Sequence, residues 1–200
     1  AGRFVRETIV SGVKFNGGIH DSIYAKGQLI DNESIYFPMI ALLALYKATK
    51  DEYFLRGAYD AAKLNASWTV LWDVPLPPNS TLARHGFRST GIGACDTPGA
   101  GYVHPFELSG VPEMVEIAKL TGDERLFRVA ELLWHGCNQT VATPENDWGY
   151  RYIGLQEEGY LISWWAWDDS MFGDTGFGRR WKGEGNKTCF PWIAAVAVHA

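Results

Sequence analysis

Between residues 143 and 189 the chain interleaves acid pairs with aromatic rings: Glu157-Glu158 and Asp168-Asp169 stand among Trp148, Tyr150, Tyr152, Tyr160, Trp164, Trp165, Trp167, Phe172, Phe177 and Trp181. Five of the nine tryptophans fall in this stretch, so the rings are concentrated where the acids are. Aromatic faces stack on the C–H faces of a pyranose while polar neighbours take its hydroxyls. Cleaving a glycosidic bond needs one carboxylic acid to protonate the leaving oxygen and a second carboxylate as base or nucleophile. Burial among tryptophans favours the protonated acid, and a nearby Arg or Lys keeps the other carboxylate ionised. Asp168 and Asp169, following Trp164-Trp165-Ala166-Trp167, are the first candidates for this chemistry and Glu157 and Glu158 the second. In each adjacent pair one member is expected to point inward and the other to solvent. Trp148, Trp164, Trp165, Trp167, Arg179, Arg180, Lys182 and Glu184 are the candidate substrate contacts. The competing reading is structural: the rings pack a long loop against the rest of the fold, and the acids are solvated or pair with Arg151, Arg179 and Arg180.

A second stretch carries Arg84-His85-Gly86-Phe87-Arg88 and Ala94-Cys95-Asp96-Thr97-Pro98-Gly99-Ala100-Gly101-Tyr102-Val103-His104. Its glycines at 91, 93, 99 and 101 allow close backbone approach. Asp96 joins the catalytic candidates, and Tyr102 and His104 the substrate-binding ones. Asp96 also suits a turn or helix cap beside Thr97 and Pro98, and His104 a buried hydrogen-bonding role. Gly91-Ile92-Gly93-Ala94-Cys95 lacks the lysine and the strand-to-helix setting of a phosphate loop. Cys95, Cys189, His85 and His104 show no Cys-x-x-Cys or His-x-x-x-His spacing, so neither a metal nor another cofactor is expected. Cys95, Cys137 and Cys189 permit one disulfide and leave one thiol.

The elements that must position these residues come from a repeat. Thr49-Lys50-Asp51-Glu52 returns as Thr121-Gly122-Asp123-Glu124, 72 residues later (51 to 123). In each copy an apolar helix enters a tight Asp-Glu turn and a second helix leaves it, an αα-hairpin. The first ascending helix is expected to begin at Pro38, and its partner to run from about Glu52 to Val70. The second pair is expected from near His104-Pro105-Phe106 to Thr121 and from Asp123 to Val141. Phe190-Pro191-Trp192-Ile193-Ala194 parallels Phe37-Pro38-Met39-Ile40-Ala41 and reads as a third ascending helix. Alternating apolar residues around Phe4-Val5 and Ile9-Val10 predict short strands or an extended arm over residues 1 to 30. Short turns thus fall at one end of the helices, and connections of about 33 residues (71 to 103) and about 47 residues (143 to 189) at the other. Connections that long usually carry function.

Consecutive αα-hairpins with a Thr-Gly-Asp turn, Pro-opened inner helices and aromatic-rich loops at one end resemble the six-hairpin glycosidase-like, or (α/α)6 toroid, superfamily over roughly residues 36 to 200. The resemblance implies an all-α fold, a barrel of inner helices ringed by outer ones, and a carbohydrate site in the mouth formed by the long loops. Two hairpins and the start of a third make about half a toroid, so residues 1–200 are expected to be one domain within a longer chain. The resemblance carries over no catalytic residue, because catalytic positions differ among its families.

Composition limits the partners. A net charge of −5 offers no basic face for nucleic acid. No apolar run reaches the roughly 18 residues of a membrane span. Asn32, Asn65, Asn79, Asn138 and Asn186 are Asn-x-Ser/Thr acceptors and make up five of the seven asparagines, which leans towards an extracytoplasmic protein. The expected partner is an oligosaccharide or polysaccharide. The sequence favours a glycoside hydrolase. Two alternatives stay open: a polysaccharide lyase or uronide-specific enzyme, with arginines on the substrate carboxylate and Tyr102 or His104 as base, and a non-catalytic sugar-binding protein.

Overall fold

The computed structural model describes residues 1–12, 33–94, 102–163, 182–185 and 189. The described chain is mostly helical, built by helix-on-helix packing with one small sheet. Its elements are α1 (Gly2–Phe4), α2 (Glu33–Thr49), α3 (Glu52–Ala66), α4 (Thr81–Arg84), β1 (Gly93–Ala94), β2 (Tyr102–His104), a 3-10 helix Pro105–Gly110, α5 (Val111–Thr121), α6 (Glu124–Asn138) and β3 (Tyr160–Leu161). The hairpins α2–α3 and α5–α6 are those of the repeat.

Both hairpins turn by the same chemistry. Lys50 and Gly122 take left-handed backbone conformations, with φ of 57° and 72°. The next residue, Asp51 or Asp123, is the N-cap of the descending helix: Asp51 accepts from Tyr53 N, and Asp123 from Arg125 N and Leu126 N. These bonds satisfy backbone donors that the first helical turn leaves open. The hairpins lie side by side, Tyr59 of α3 donating to Asp123 at 2.7 Å and Lys47 of α2 pairing with Glu116 of α5 at 2.7 Å. Met39, Leu42 and Leu43 from α2, Ala58, Ala61 and Ala62 from α3, Met114 and Ile117 from α5, and Ala130 and Leu133 from α6 are buried in one core. The alanines of α3 let it approach its neighbours closely.

Several boundaries differ from the sequence expectation. α2 begins five residues before Pro38, which sits inside the helix and removes one backbone donor near its start. α3 stops at Ala66, not Val70, because the following residues pair sideways: Val70 N donates to Ile92 O, Gly91 N to Val70 O and Ala94 N to Trp68 O. α6 stops at Asn138, not Val141, and Ala142 bonds instead to Leu155 and Gly154. Of the extended arm expected over residues 1 to 30, Gly2–Val10 is helical, an α-turn running into a π-helical stretch, and residues 13–30 lie outside the described residues. Arg6 fixes it there, donating to Tyr53 O at 2.7 Å with its guanidinium 3.8 Å from the Tyr53 ring centre. The spacing of Val5, Ile9 and Val10 thus marks a helical face rather than strands. The third ascending helix expected at Phe190-Pro191 lies outside the described residues.

The sheet corrects a purely helical reading. β1 and β2 pair antiparallel with Gly93 opposite His104, and β2 and β3 with Val103 opposite Tyr160. Gly185 bridges to Tyr160 on the outer side. β1 and β2 come from the first long connection, and β3 and Gly185 from the second, so the sheet ties the two together. It sits against α6 through two glycines: a side-chain carbon on Gly136 would lie 2.1 Å from Gly91 O. Only backbone meeting backbone permits that separation.

Gly136→Ala should therefore lower stability by about 2 kcal/mol or more, since neither neighbour can swing aside. Gly149, with φ of 74° and open space around it, should lose only about 1 kcal/mol on the same change, from backbone strain alone. Chemical denaturation of both variants checks the difference. A further expectation concerns pH. The Tyr59 hydrogen bond, then the Leu126 backbone donor, hold the Asp123 carboxyl below its ordinary value. Its contribution is complete above the unfolded pKa near ~3.9 and is lost as pH falls through the lower folded value. Asp123→Asn should accordingly flatten the acid limb of the pH–stability curve, read by thermal melts between neutral pH and strong acid.

Candidate functional site

The face where the long connections meet is assembled from β1–β3 and the short helix α4. Ser80 caps α4 by accepting from Ala83 N, and Glu184 supports the same turn by accepting from Thr81 N at 3.0 Å. Leu82 N donates to Gly183 O, and Leu161 N to Glu184 O. A segment 103 residues away in sequence therefore seats α4. Glu184, a candidate substrate contact, is half-buried here and spends one carboxylate oxygen on this task; Lys182 is half-buried in the adjoining turn.

Two carboxylates are buried against the sheet. Glu107, in the 3-10 helix, is 1% exposed, and its Oε2 lies 3.3 Å from His104 Nδ1. A side-chain carbon on Gly93 would fall 2.2 Å from its Cδ, so β1 passes directly over the carboxyl. Glu157 is 9% exposed and abuts Gly185 in the same way, while Glu158 beside it is half-buried. Side chains along a strand alternate in face, and paired residues share one. Gly93 and His104 thus face one side, and Val103, Tyr160 and Gly185 the other. Glu107 and Glu157 lie on opposite faces of the sheet and do not form one carboxyl pair.

Glu157 has phenols for neighbours. Its backbone N–H donates to Tyr160 Oη at 3.1 Å, and Tyr160 and Tyr150 hydroxyls stand 3.4 Å apart. Burial first, then the nearby Tyr160 and Glu157, push the Tyr150 hydroxyl far up; burial is also the largest cause raising Tyr160. Both remain neutral hydroxyls that can donate to a carboxylate. Thr140 and Gln156 close the cluster, Gln156 Nε2 donating to Thr140 Oγ1 at 2.8 Å.

A ladder of rings runs outward from there: Tyr160 to Phe87 at 5.4 Å, Phe87 to Trp148 at 6.4 Å, and Trp148 stacked on His85 at 5.4 Å. It ends at an open polar groove of about 440 Å³ lined by Arg84, His85, Pro144, Glu145, Asn146 and Asp147. One wall comes from α4, the other from the second long connection.

Trp148, a candidate for stacking on substrate, is 4% exposed with its rings against His85 and Phe87. It has no open face and acts as backing for His85. His104 is 1% exposed, and its Nδ1 accepts from Phe106 N at 3.1 Å, the buried capping role. Tyr102 contributes its backbone to β2. Asp96, Trp164, Trp165, Trp167, Asp168, Asp169, Arg179 and Arg180 lie outside the described residues. Cys137 and Cys189 are free thiols. Burial and, second, Glu107 raise Cys137 well above its ordinary value, and burial then Glu157 raise Cys189, so neither is an activated thiolate. Among the described residues no three His, Cys, Asp or Glu side chains gather to hold a metal. Of the glycosylation acceptors, Asn65 is 1% exposed inside α3, whereas Asn79 stands exposed on the turn before α4.

Sequence reasoning passed over Glu107, because an acid in the first turn of a Pro-opened helix is ordinarily solvated and complements the helix dipole. The His104-x-x-Glu107 spacing behind a glycine-rich strand was the available signal. It also passed over Glu145, Asn146 and Asp147, which look like a plain polar turn. No family model, no curated protein and no solved structure matches this chain.

Gly185→Ala should displace the Glu157 carboxyl, because the added carbon would sit 1.7 Å from its Oε2. Any activity that depends on Glu157 should fall by at least ~10-fold, the usual scale for a misplaced catalytic group. Circular dichroism should show the helices intact.

Proposed function

We propose that the protein is a carbohydrate-active enzyme, a glycoside hydrolase whose hairpins form part of an (α/α)6 toroid with the active face at the long connections. The observation that carries this reading is Glu157, 9% exposed on that face, with its backbone N–H on the Tyr160 hydroxyl and that hydroxyl 3.4 Å from the one of Tyr150. A carboxyl so placed suits proton transfer to a leaving oxygen, and a short ring ladder links it to an open polar groove of ligand size. The helical hairpins with equivalent Asp-capped turns support the toroid, since they leave the long connections to build the opposite end.

Hydrolysis needs a second carboxylate. Glu107 is separated from Glu157 by the sheet, so the partner comes from elsewhere. Asp168 and Asp169 are the assigned source, with Asp96 next. One member of that pair would act as base or nucleophile.

Glu157→Gln keeps the side chain's size while removing its proton chemistry, and should cut turnover by roughly 10²–10⁴ with little change in melting temperature. Alanine at whichever of Asp168 and Asp169 is catalytic should do the same while leaving oligosaccharide binding in place. Full activity in Glu157→Gln, Asp168→Ala and Asp169→Ala would end this assignment.

A further inference from the structure

The groove between α4 and residues 144–147 is built with more care than a solvated turn requires. Asn146 clasps His85 at two points: its Nδ2 donates to His85 O at 3.0 Å, and its Oδ1 lies 2.8 Å from His85 Nδ1. Because the amide NH₂ is spent on the carbonyl, the amide oxygen faces the ring. It accepts from Nδ1–H, leaving Nε2 as the ring's remaining hydrogen-bonding nitrogen. Behind the imidazole lies Trp148, at an interplanar angle of 26°. Trp148 itself holds φ at 56°, a left-handed conformation that a bulky residue adopts only under compulsion. Opposite, the Arg84 guanidinium is held by Asn79 O and Thr81 Oγ1, and among the described residues it has no carboxylate partner. Asp147 spends Oδ1 on Gly149 N at 2.8 Å, and Glu145 stands exposed on the same rim.

The charge balance selects the ligand. The lining carries one guanidinium and two carboxylates, so a free anion such as a uronate meets net repulsion. Vicinal hydroxyls suit the same groups: carboxylates accept from them, Arg84 donates to them, and His85 Nε2 accepts one more. Resting on the reading of this face as a saccharide site, we infer that the groove is a subsite for a neutral sugar residue, with His85 as its specificity-determining contact. Asn146 and Trp148 are positioning residues that fix the tautomer and the plane of His85.

The test titrates the full chain with cellotetraose, xylotetraose, mannotetraose and tetragalacturonate, following the His85 imidazole signals by NMR and turnover in parallel. At least one neutral tetrasaccharide should shift the His85 signals, and His85→Ala should weaken its binding about tenfold, the loss of one good hydrogen bond and its contacts. Asn146→Asp, which keeps the size but cannot donate to His85 O, should weaken it in the same direction. Shifts with tetragalacturonate alone, or neutral binding that leaves His85 signals unmoved, would overturn the subsite. The two readings fail separately. Turnover without any His85 response refutes the subsite and leaves the hydrolase; a His85 response to a neutral sugar without turnover of any glycan supports the subsite and removes the enzyme.

Discussion

The contact between Gly91 and Gly136 governs where the described residues of the sheet end up. At that point the first long connection lies backbone-to-backbone on α6, at a separation no side chain permits. Gly91 then bonds to Val70, and the strand that follows is fixed in register against β2. From β2 the register passes to β3, and from β3 to Gly185. Each of the two outer glycines lies over a buried carboxyl, Gly93 over Glu107 and Gly185 over Glu157. A loose fit at Gly136 would therefore propagate through a chain of backbone pairings to both acids.

This arrangement separates two kinds of stability. The hairpins rest on apolar burial and on Asp caps, which act locally and within each repeat. The sheet has only two or three residues per strand and cannot stand alone. It persists because both of its faces are covered: Val103 and His104, adjacent on β2 and pointing opposite ways, are both fully buried. Burying Glu107 and Glu157 on the two faces of so small a sheet is costly unless their oxygens are well provided for.

What the sequence revealed follows from range. The Asp51 and Asp123 turns were legible because a cap is a contact between residues two or three apart. The meeting of the two long connections was legible too, since alternating short and long links leaves no other topology. The helical N-terminus was not, because Arg6 reaches Tyr53, 47 residues on, to hold it. Nor was the sheet, in which Val103 of β2 finds its partner in Tyr160 of β3, on the other long connection. At the site, adjacent acids were expected to point one inward and one to solvent without saying which; Glu157 is buried and Glu158 half-buried. Trp148 was read as a surface for sugar because a tryptophan's identity says nothing of which neighbour covers its face. His85 covers it, and the ring that faces the groove is the imidazole.

The central claim is that this face cleaves glycans by hydrolysis. The most direct measurement incubates the protein, within its longer parent chain where one exists, with neutral and acidic glycans of plant, microbial and animal origin. New reducing ends and the ultraviolet absorbance of unsaturated uronides are followed together. Hydrolysis predicts new reducing ends from a neutral glycan with no rise in absorbance. Absorbance rising in step with chain cleavage would mean elimination, and a face that binds glycans without cutting any would mean recognition alone; either result contradicts the account.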